Sequence, residues 1–186
     1  DSMKQPGMFT SRVPSSFNNS GTAIVWFRND LRVGDNAVLA LANTALRVVP
    51  VYIFDERRYS LDHPSPNGFQ RTGPFRAYFI LEAVKALRSA LRWRMSELVV
   101  RVGITEDILA GIAETLLDAG YGPVHVVAQK EVTTDEVELE RNVAEALDEL
   151  VEDAEDGITT GTQFVWGDTL LHPDDPFNKR GGKYFD

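Results

Sequence analysis

The chain has 186 residues, which suits a single α/β domain of ordinary size. Hydrophobic residues make up 43% of it, so a buried core is expected, and the absence of cysteine excludes disulfides, thiolate metal sites and cysteine nucleophiles. A formal net charge of −9 argues against a nucleic-acid groove on this domain, and no apolar run approaches the roughly 20 residues that span a bilayer.

The first 21 residues are rich in Ser, Asn and Pro and show no apolar periodicity. After Asp1 they contain no acidic residue, although they contain Lys4 and Arg12. We expect a disordered leader over residues 1–21. The same composition fits the end of an organelle transit peptide, which is typically Ser-rich and acid-poor.

From residue 22 onward, short apolar runs alternate with amphipathic stretches. Strands are predicted at Ala23–Phe27, Val48–Phe54, Leu98–Val102, Val124–Ala128 and Gln163–Trp166. Helices are predicted at Asn36–Leu46, Pro74–Leu91, from Thr105 to near Gly120, and Thr134–Leu150. This alternation predicts an α/β fold with right-handed crossovers: a doubly wound, five-stranded parallel sheet of Rossmann-like type, order 3-2-1-4-5, with helices on both faces.

Local signals place the helix starts. Asp35 is a predicted N-cap for the first helix, and Thr133 with Glu136 forms a capping box before the last one. A stripe at four-residue spacing predicts the buried face of the second helix. Its members are Phe75, Phe79, Ala83 and Leu87, and Ile80, Val84 and Leu91 widen it.

Ligands of open α/β sheets bind beyond the carboxyl ends of the strands, where the strand order reverses. Here that crevice lies between strands 1 and 4, so the loops Arg28–Asp35 and Gln129–Thr133 should meet. The carboxylate of Glu131 can accept two parallel N–H donors, as offered by a guanidinium or an amino-pyrimidinone edge. Two simpler interpretations stay open: Glu131 is a solvated acid at a helix start, and the charged residues of the first loop only pair with one another.

Other chemistry has little support in the sequence. The three histidines, His63, His125 and His172, lie far apart and lack metal-ligand spacing, so no metal site is predicted. No Walker-type glycine-rich loop and no nucleophile elbow occurs, so no catalytic residue is predicted.

Five separated motifs occur in one order along the chain. They are WFRNDLR at Trp26–Arg32 with Asp35-Asn36, TGPFRA at Thr72–Ala77, VVRVG at Val99–Gly103, Lys130-Glu131-Val132 with the later Glu138 and Glu140, and FVWGDTL at Phe164–Leu170 with HPDDPF after it. In this order they resemble the photolyase/cryptochrome family, and above all its DASH-type cryptochromes and plant photolyase-like proteins. The resemblance predicts an α/β domain over residues 22–177 and an extended tail over 178–186.

The resemblance implies an N-terminal α/β domain that can bind an antenna chromophore, often methenyltetrahydrofolate. It also implies a C-terminal helical domain that binds FAD and, in photolyases, damaged DNA. Glu131 falls on the family position whose carboxylate binds the pterin ring, with Asn29, Lys130 and Arg28 as further candidates for cofactor contact. The helical domain has no match in these 186 residues, so we expect that the chain does not repair DNA and is not an enzyme by itself.

Three functions remain open at this stage. The chain is an antenna domain of a blue-light-absorbing flavoprotein family member, or a photolyase-like binding or structural subunit docked on a larger, for example photosynthetic, complex. The third function is a nucleotide or small-molecule binder. The expected partner is the FAD-binding domain or another protein. The leader and the resemblance to plant members favour the chloroplast, with the cytoplasm or nucleus as the alternative.

Overall fold

The computed structural model describes residues 16–59, 68–152 and 160–167. The strands are β1 (Thr22–Phe27), β2 (Arg47–Asp55), β3 (Val99–Gly103), β4 (Val124–Gln129) and β5 (Thr160–Val165). The helices are α1 (Ala37–Ala42), α2 (Glu56–Tyr59), α3 (Pro74–Trp93), α4 (Thr105–Asp118) and α5 (Thr134–Glu152). In the described parts of the chain, no helix combines the length and apolarity needed to cross a bilayer.

The five strands form one sheet in the order β3-β2-β1-β4-β5, and all four pairings are parallel. The predicted fold class and strand order are therefore confirmed. β1 is central, and Trp26 is paired with Val51 on one side and Ala128 on the other. This pairing brings the carboxyl ends of β1 and β4 to the same edge of the sheet.

Alternate residues of the strands supply two separate cores. On one face Val25 and Phe27 of β1 pack with residues of α1 and α3. On the other face Ile24 and Trp26 pack with residues of α4 and α5. Because β1 and β4 are covered on both faces, all six residues of each strand are buried, which explains their continuous apolar runs.

The position of Pro50 in β2 fits its missing N–H group. Val25 of β1 lies opposite Pro50, but pairing with β3 begins only at Val51. Pro50 thus lies just outside the stretch in which β2 has two neighbours, where a proline costs the sheet least.

Helix α1 is shorter than predicted and begins one residue later. Its N-cap is Asn36, whose side-chain oxygen accepts from the N–H of Leu39 at 3.0 Å, so the predicted cap at Asp35 is wrong. Asp35 instead adopts a left-handed conformation with φ of 52° and is exposed. Asp and Asn both favour the N-cap position. Because Asp35 takes the left-handed turn conformation, Asn36 caps the helix.

The predicted buried stripe of α3 is correct only in its C-terminal half. Val84, Leu87 and Leu91 are buried, whereas Phe75 is 91% exposed and Phe79 72% exposed. The two exposed rings lie in the first two turns of α3, whereas its C-terminal half packs in the core with β1. The apolar face of the helix is therefore covered only in part by the described residues.

The packed region begins before the predicted boundary at residue 22. Phe17 is buried at 3% exposure in the α1 face of the core, and its N–H donates to Thr44 Oγ1 at 2.9 Å. Asn18 and Asn19 take left-handed conformations that turn the chain into β1. Residues 1–15 of the expected leader, and the tail from residue 168, lie outside the described residues.

Removing the Phe17 ring should test this packing. We expect Phe17→Ala to lower the free energy of unfolding by about 3–5 kcal/mol, since the ring leaves a cavity in the core. Phe75→Ala is the matched control, because that ring is exposed and its loss should change stability little. Urea unfolding measures both. Equal midpoints for Phe17→Ala and the parent chain would show that residues 16–21 do not contribute to the core.

The imidazole of His125 on β4 is buried beside the ring of Phe17, with the ring centroids 5.6 Å apart. Its Nδ1 has no hydrogen-bond partner in the described parts of the chain. Burial lowers the pKa of His125 below the ordinary value of 6.5. Upon acidification the unfolded chain therefore takes up this proton before the folded chain does.

The free energy of unfolding should consequently fall as the pH drops below about 6.5, because the unfolded state binds the extra proton. We expect His125→Leu to remove this part of the pH dependence without loss of stability at pH 7, as an unpaired polar atom is replaced by an apolar one. Urea titrations on either side of that pH measure the effect. An unchanged pH slope in the variant would contradict it.

Candidate functional site

The two predicted loops meet at the carboxyl edge of the sheet. Arg28 follows β1 directly, and its Nη1 donates to the carbonyl oxygen of Gln129, the last residue of β4, at 3.0 Å. The parallel pairing of β1 with β4 thus places residues about a hundred positions apart in hydrogen-bond contact. The predicted neighbourhood of the two loops is confirmed.

Arg28 forms a buried ion pair with Glu140 of α5. Nη1 of Arg28 lies 2.5 Å from Oε1 of Glu140, and the two side chains are 5% and 8% exposed. Nη2 of Arg28 donates to the carbonyl oxygen of Glu136 at 3.3 Å, and the guanidinium lies 4.5 Å from the ring centroid of Trp26. Arg28 therefore forms an ion pair, but with a distant helix and not with the charged residues of its own loop, so the simpler interpretation is wrong for Arg28.

Asn29 joins two carboxylates. Its Nδ2 donates to Oε1 of Glu131 at 2.7 Å and to Oε1 of Glu136 at 3.1 Å. Glu131 is buried at 7% exposure, so it is not a solvated acid at the helix start. Its backbone N–H donates to Oε1 of Glu140 at 2.9 Å, which connects Glu131 to the Arg28 ion pair.

Glu136 has two roles at the start of α5. Thr133 Oγ1 donates to Oε2 of Glu136 at 2.9 Å, and Nη2 of Arg58 lies 3.3 Å from Oε1. Burial acts to raise the pKa of Glu136, but hydrogen bonds from Asn29 and Thr133 and the charges of Arg58 and Arg28 outweigh it. The pKa therefore lies below its ordinary value.

A second charged network lies at the end of β2. Arg57 donates to both oxygens of Asp55 and to both oxygens of Glu106, and Thr105 Oγ1 donates to Oδ2 of Asp55 at 2.7 Å. Burial would raise the pKa of Asp55, yet the bonds from Arg57 and Thr105 keep it below the usual range. Asp55 also borders a cleft of about 240 Å³ that is shared with Arg28 and Asn29.

The remaining predicted residues lie outside this cluster. Asp30 and Arg32 form an exposed pair in which both guanidinium donors reach the carboxylate, at 2.9 and 2.8 Å. Lys130 is exposed, and its backbone N–H donates to Val165 of β5. It borders a cavity of about 820 Å³ that Val137, Phe164 and, from the cluster, Glu140 also line, but no hydrogen bond joins its side chain to the cluster in the described residues. The structure therefore brings together Arg28, Asn29 and Glu131 but not Lys130.

Sequence reasoning missed three members of the cluster. Glu136 was predicted only as a capping residue, and Glu140 one turn later had no role in the predicted site. Their spacing of four residues places them on one face of α5 and is a signal that could have paired them. Arg58 carried no signal, because it follows a strand whose end was predicted to open into a loop.

The cluster can bind a ligand edge that is rich in N–H donors. Three carboxylates, of Glu131, Glu136 and Glu140, lie with two guanidinium groups, of Arg28 and Arg58, which leaves one negative charge in excess within this group. A carboxylate offers about four acceptor sites, so a carboxylate such as that of Glu131 can accept more than one donor.

The family model for DNA photolyase matches residues 23–186 of the chain. The blue-light photoreceptor PHR2 of Arabidopsis thaliana is 45% identical over 157 residues, which is 83% of this chain and 32% of that protein. A chloroplastic/mitochondrial cryptochrome DASH of Solanum lycopersicum is 38% identical over 168 residues, or 85% of this chain and 28% of that one. The chain thus spans about a third of the length of these relatives.

A solved structure gives the same result for the fold. The class III photolyase from Agrobacterium tumefaciens superimposes with a TM-score of 0.61 at 25% sequence identity. The match covers 96% of this chain and 31% of that protein, so the region compared is again a part of a longer molecule.

Neutralising Glu136 should change the acid stability of the domain. Because the pKa of Glu136 is lowered by folding, its contribution is present above about pH 4.5 and is lost as the pH falls through the folded-state pKa. We expect Glu136→Gln to be less stable than the parent at pH 7, with a smaller further loss below about pH 4.5. Urea unfolding across that range measures it, with the exposed Glu138→Gln as control. Parallel curves for Glu136→Gln and the parent would contradict the assignment.

Proposed function

Because this chain belongs to the DNA photolyase family, we propose that it is an antenna domain and that Glu131 binds the pterin ring of methenyltetrahydrofolate. The observation that carries this proposal is the bond from Asn29 to Glu131 at the carboxyl edge of β4. A buried carboxylate whose position is fixed by a neighbouring amide is preorganised for a ligand with two parallel N–H donors.

The chemistry of the residues fits a pterin edge. Its amino-pyrimidinone ring presents adjacent N–H donors, which match the two oxygens of a carboxylate. Asn29, which donates to Glu131, lines the cleft of about 240 Å³. The bound folate would supply near-ultraviolet or violet absorption. The residues of the chain would bind and orient the ring and exclude water from it, while flavin photochemistry and any DNA repair would belong to the helical domain that the family resemblance implies.

A docking role is a second proposal, and it is favoured by the exposed side of α3. Phe75, Tyr78 and Phe79 are 91%, 66% and 72% exposed, and these large rings lie within two turns of one helix. An apolar patch of this kind typically contacts another protein surface. The contact partner would be the rest of a longer photolyase-like protein or a subunit of a larger complex.

A nucleotide-binding role has less support. The loop Arg28–Asp35 after β1 has no Walker-type glycine-rich sequence, whose backbone N–H groups would bind phosphates. We therefore rank it below the other two roles. For location we propose the chloroplast, since the similar tomato protein is designated chloroplastic/mitochondrial and residues 2–15, before the packed region, contain no acidic residue, as is typical of a transit peptide.

Folate retention by purified protein tests the antenna proposal. After incubation with methenyltetrahydrofolate and gel filtration, we expect the parent chain to keep an absorption band that free protein lacks. Glu131→Gln should weaken binding by roughly tenfold or more, because hydrogen bonds to a charged group contribute about 1.5–3 kcal/mol. Glu138→Gln is the control of equal charge change. Equal retention by Glu131→Gln and the parent would exclude Glu131 from the site, and a colourless parent would exclude the antenna role.

A further inference from the structure

One carboxylate oxygen connects the end of β1 with the end of β4. Oε1 of Glu140 accepts from Nη1 of Arg28 and from the backbone N–H of Glu131, at 2.5 and 2.9 Å. Glu140 is 7% exposed and Glu131 is equally buried, so water does not compete freely for these bonds. In a protected environment, two donors on one oxygen fix its position closely.

The backbone of the loop after β4 is fixed by two different elements. The N–H of Lys130 donates to the carbonyl oxygen of Val165 in β5, and the N–H of the next residue, Glu131, donates to Glu140 in α5. A shift of this loop would break a sheet bond and a buried charged bond together. The direction in which the Glu131 side chain leaves the backbone is therefore set by these two contacts.

The orientation of Glu140 depends in turn on Arg28. The guanidinium of Arg28 donates to the carbonyl oxygens of Gln129 and Glu136, and its face lies over the ring of Trp26. With its stem buried and its planar group bonded on two sides, Arg28 has little freedom to rotate. The position of Arg28 Nη1 is therefore fixed, and the bond from Nη1 fixes the position of Glu140 Oε1.

We infer that Glu140 is a positioning residue for Glu131: it accepts the Glu131 N–H and so aims the Glu131 carboxylate at the ligand and at Asn29. This inference rests on the proposed function only for the identity of the ligand, since the bond between Asn29 and Glu131 is present without a ligand. Glu140 does not itself contact the ligand. A purely structural ion pair would stabilise the fold but leave the position of the Glu131 carboxylate unchanged.

Two variants separate the acceptor from the charge. Glu140→Gln keeps an oxygen that can accept the Glu131 N–H, whereas Glu140→Leu removes both the oxygen and the charge. The exposed Glu138→Gln and Glu138→Leu on the same helix are the matched controls. Should Glu140→Leu fail to fold with Arg28 left unpaired, the combined change Arg28→Met with Glu140→Leu removes both charges, which proteins often tolerate.

The first measurement needs no ligand. Nuclear magnetic resonance of the labelled chain reports two quantities. One is the signals of the Asn29 side-chain amide, which bonds Glu131 and Glu136 but not Glu140, and the other is the exchange rate of the Glu131 N–H. In Glu140→Leu we expect both Asn29 amide signals to shift and the Glu131 N–H to exchange at least about tenfold faster. In Glu140→Gln both should stay near their parent values. Unchanged Asn29 signals in folded Glu140→Leu would overturn the inference.

The second measurement is affinity for methenyltetrahydrofolate. Glu140→Leu should bind roughly tenfold more weakly, Glu140→Gln within about threefold of the parent, and the loss should vanish when Glu131→Gln is already present. Two results would contradict positioning through Glu131. One is an equal loss of affinity in Glu140→Gln and Glu140→Leu, and the other is a loss of affinity from Glu140→Leu that remains when Glu131→Gln is also present. If the parent binds no folate, the antenna proposal fails, and the Asn29 signals still decide the role of Glu140.

Discussion

Arg28 lies where β1 and β4 diverge, and the arrangement of the candidate site depends on its contacts. Parallel pairing brings the two strand ends together, but pairing alone leaves the side chains beyond them undirected. The guanidinium bonds a carbonyl at the end of β4, a carbonyl in α5 and the carboxylate of Glu140. Through Glu140 it also reaches the backbone of Glu131, so one side chain orients a strand end, a loop and a helix.

A buried ion pair is weak evidence for stability, because the cost of removing two charges from water offsets their attraction. What it supplies here is geometry. An apolar pair of the same volume could fill the crevice between β1 and β4, yet it could not accept the N–H of Glu131. The exposed pair of Lys85 with Glu82 lies within α3, lacks any such link to a second element and contributes little to stability.

Sequence periodicity was sufficient for the sheet, because buried parallel strands read as continuous apolar runs and their order follows from a common crossover pattern. It was insufficient where two residues compete for one role, as Asp35 and Asn36 do at the start of α1. It also failed for the first turns of α3, since periodicity marks an apolar face but not what covers it. In the site, the adjacency of Asn29 and Glu131 was predictable from topology, whereas the Arg28–Glu140 contact depends on side-chain directions across two elements.

The burial of Phe17 has a practical consequence for the handling of this domain. Proteolytic trimming or a fusion junction placed immediately before Thr22, where the apolar alternation starts, would delete the ring that covers His125. Solvent would then reach an imidazole that is otherwise buried beside β1, and hydration would favour its charged form. A shortened preparation would therefore differ from the intact one in its acid tolerance, although the sheet itself and the residues around Glu131 were left untouched.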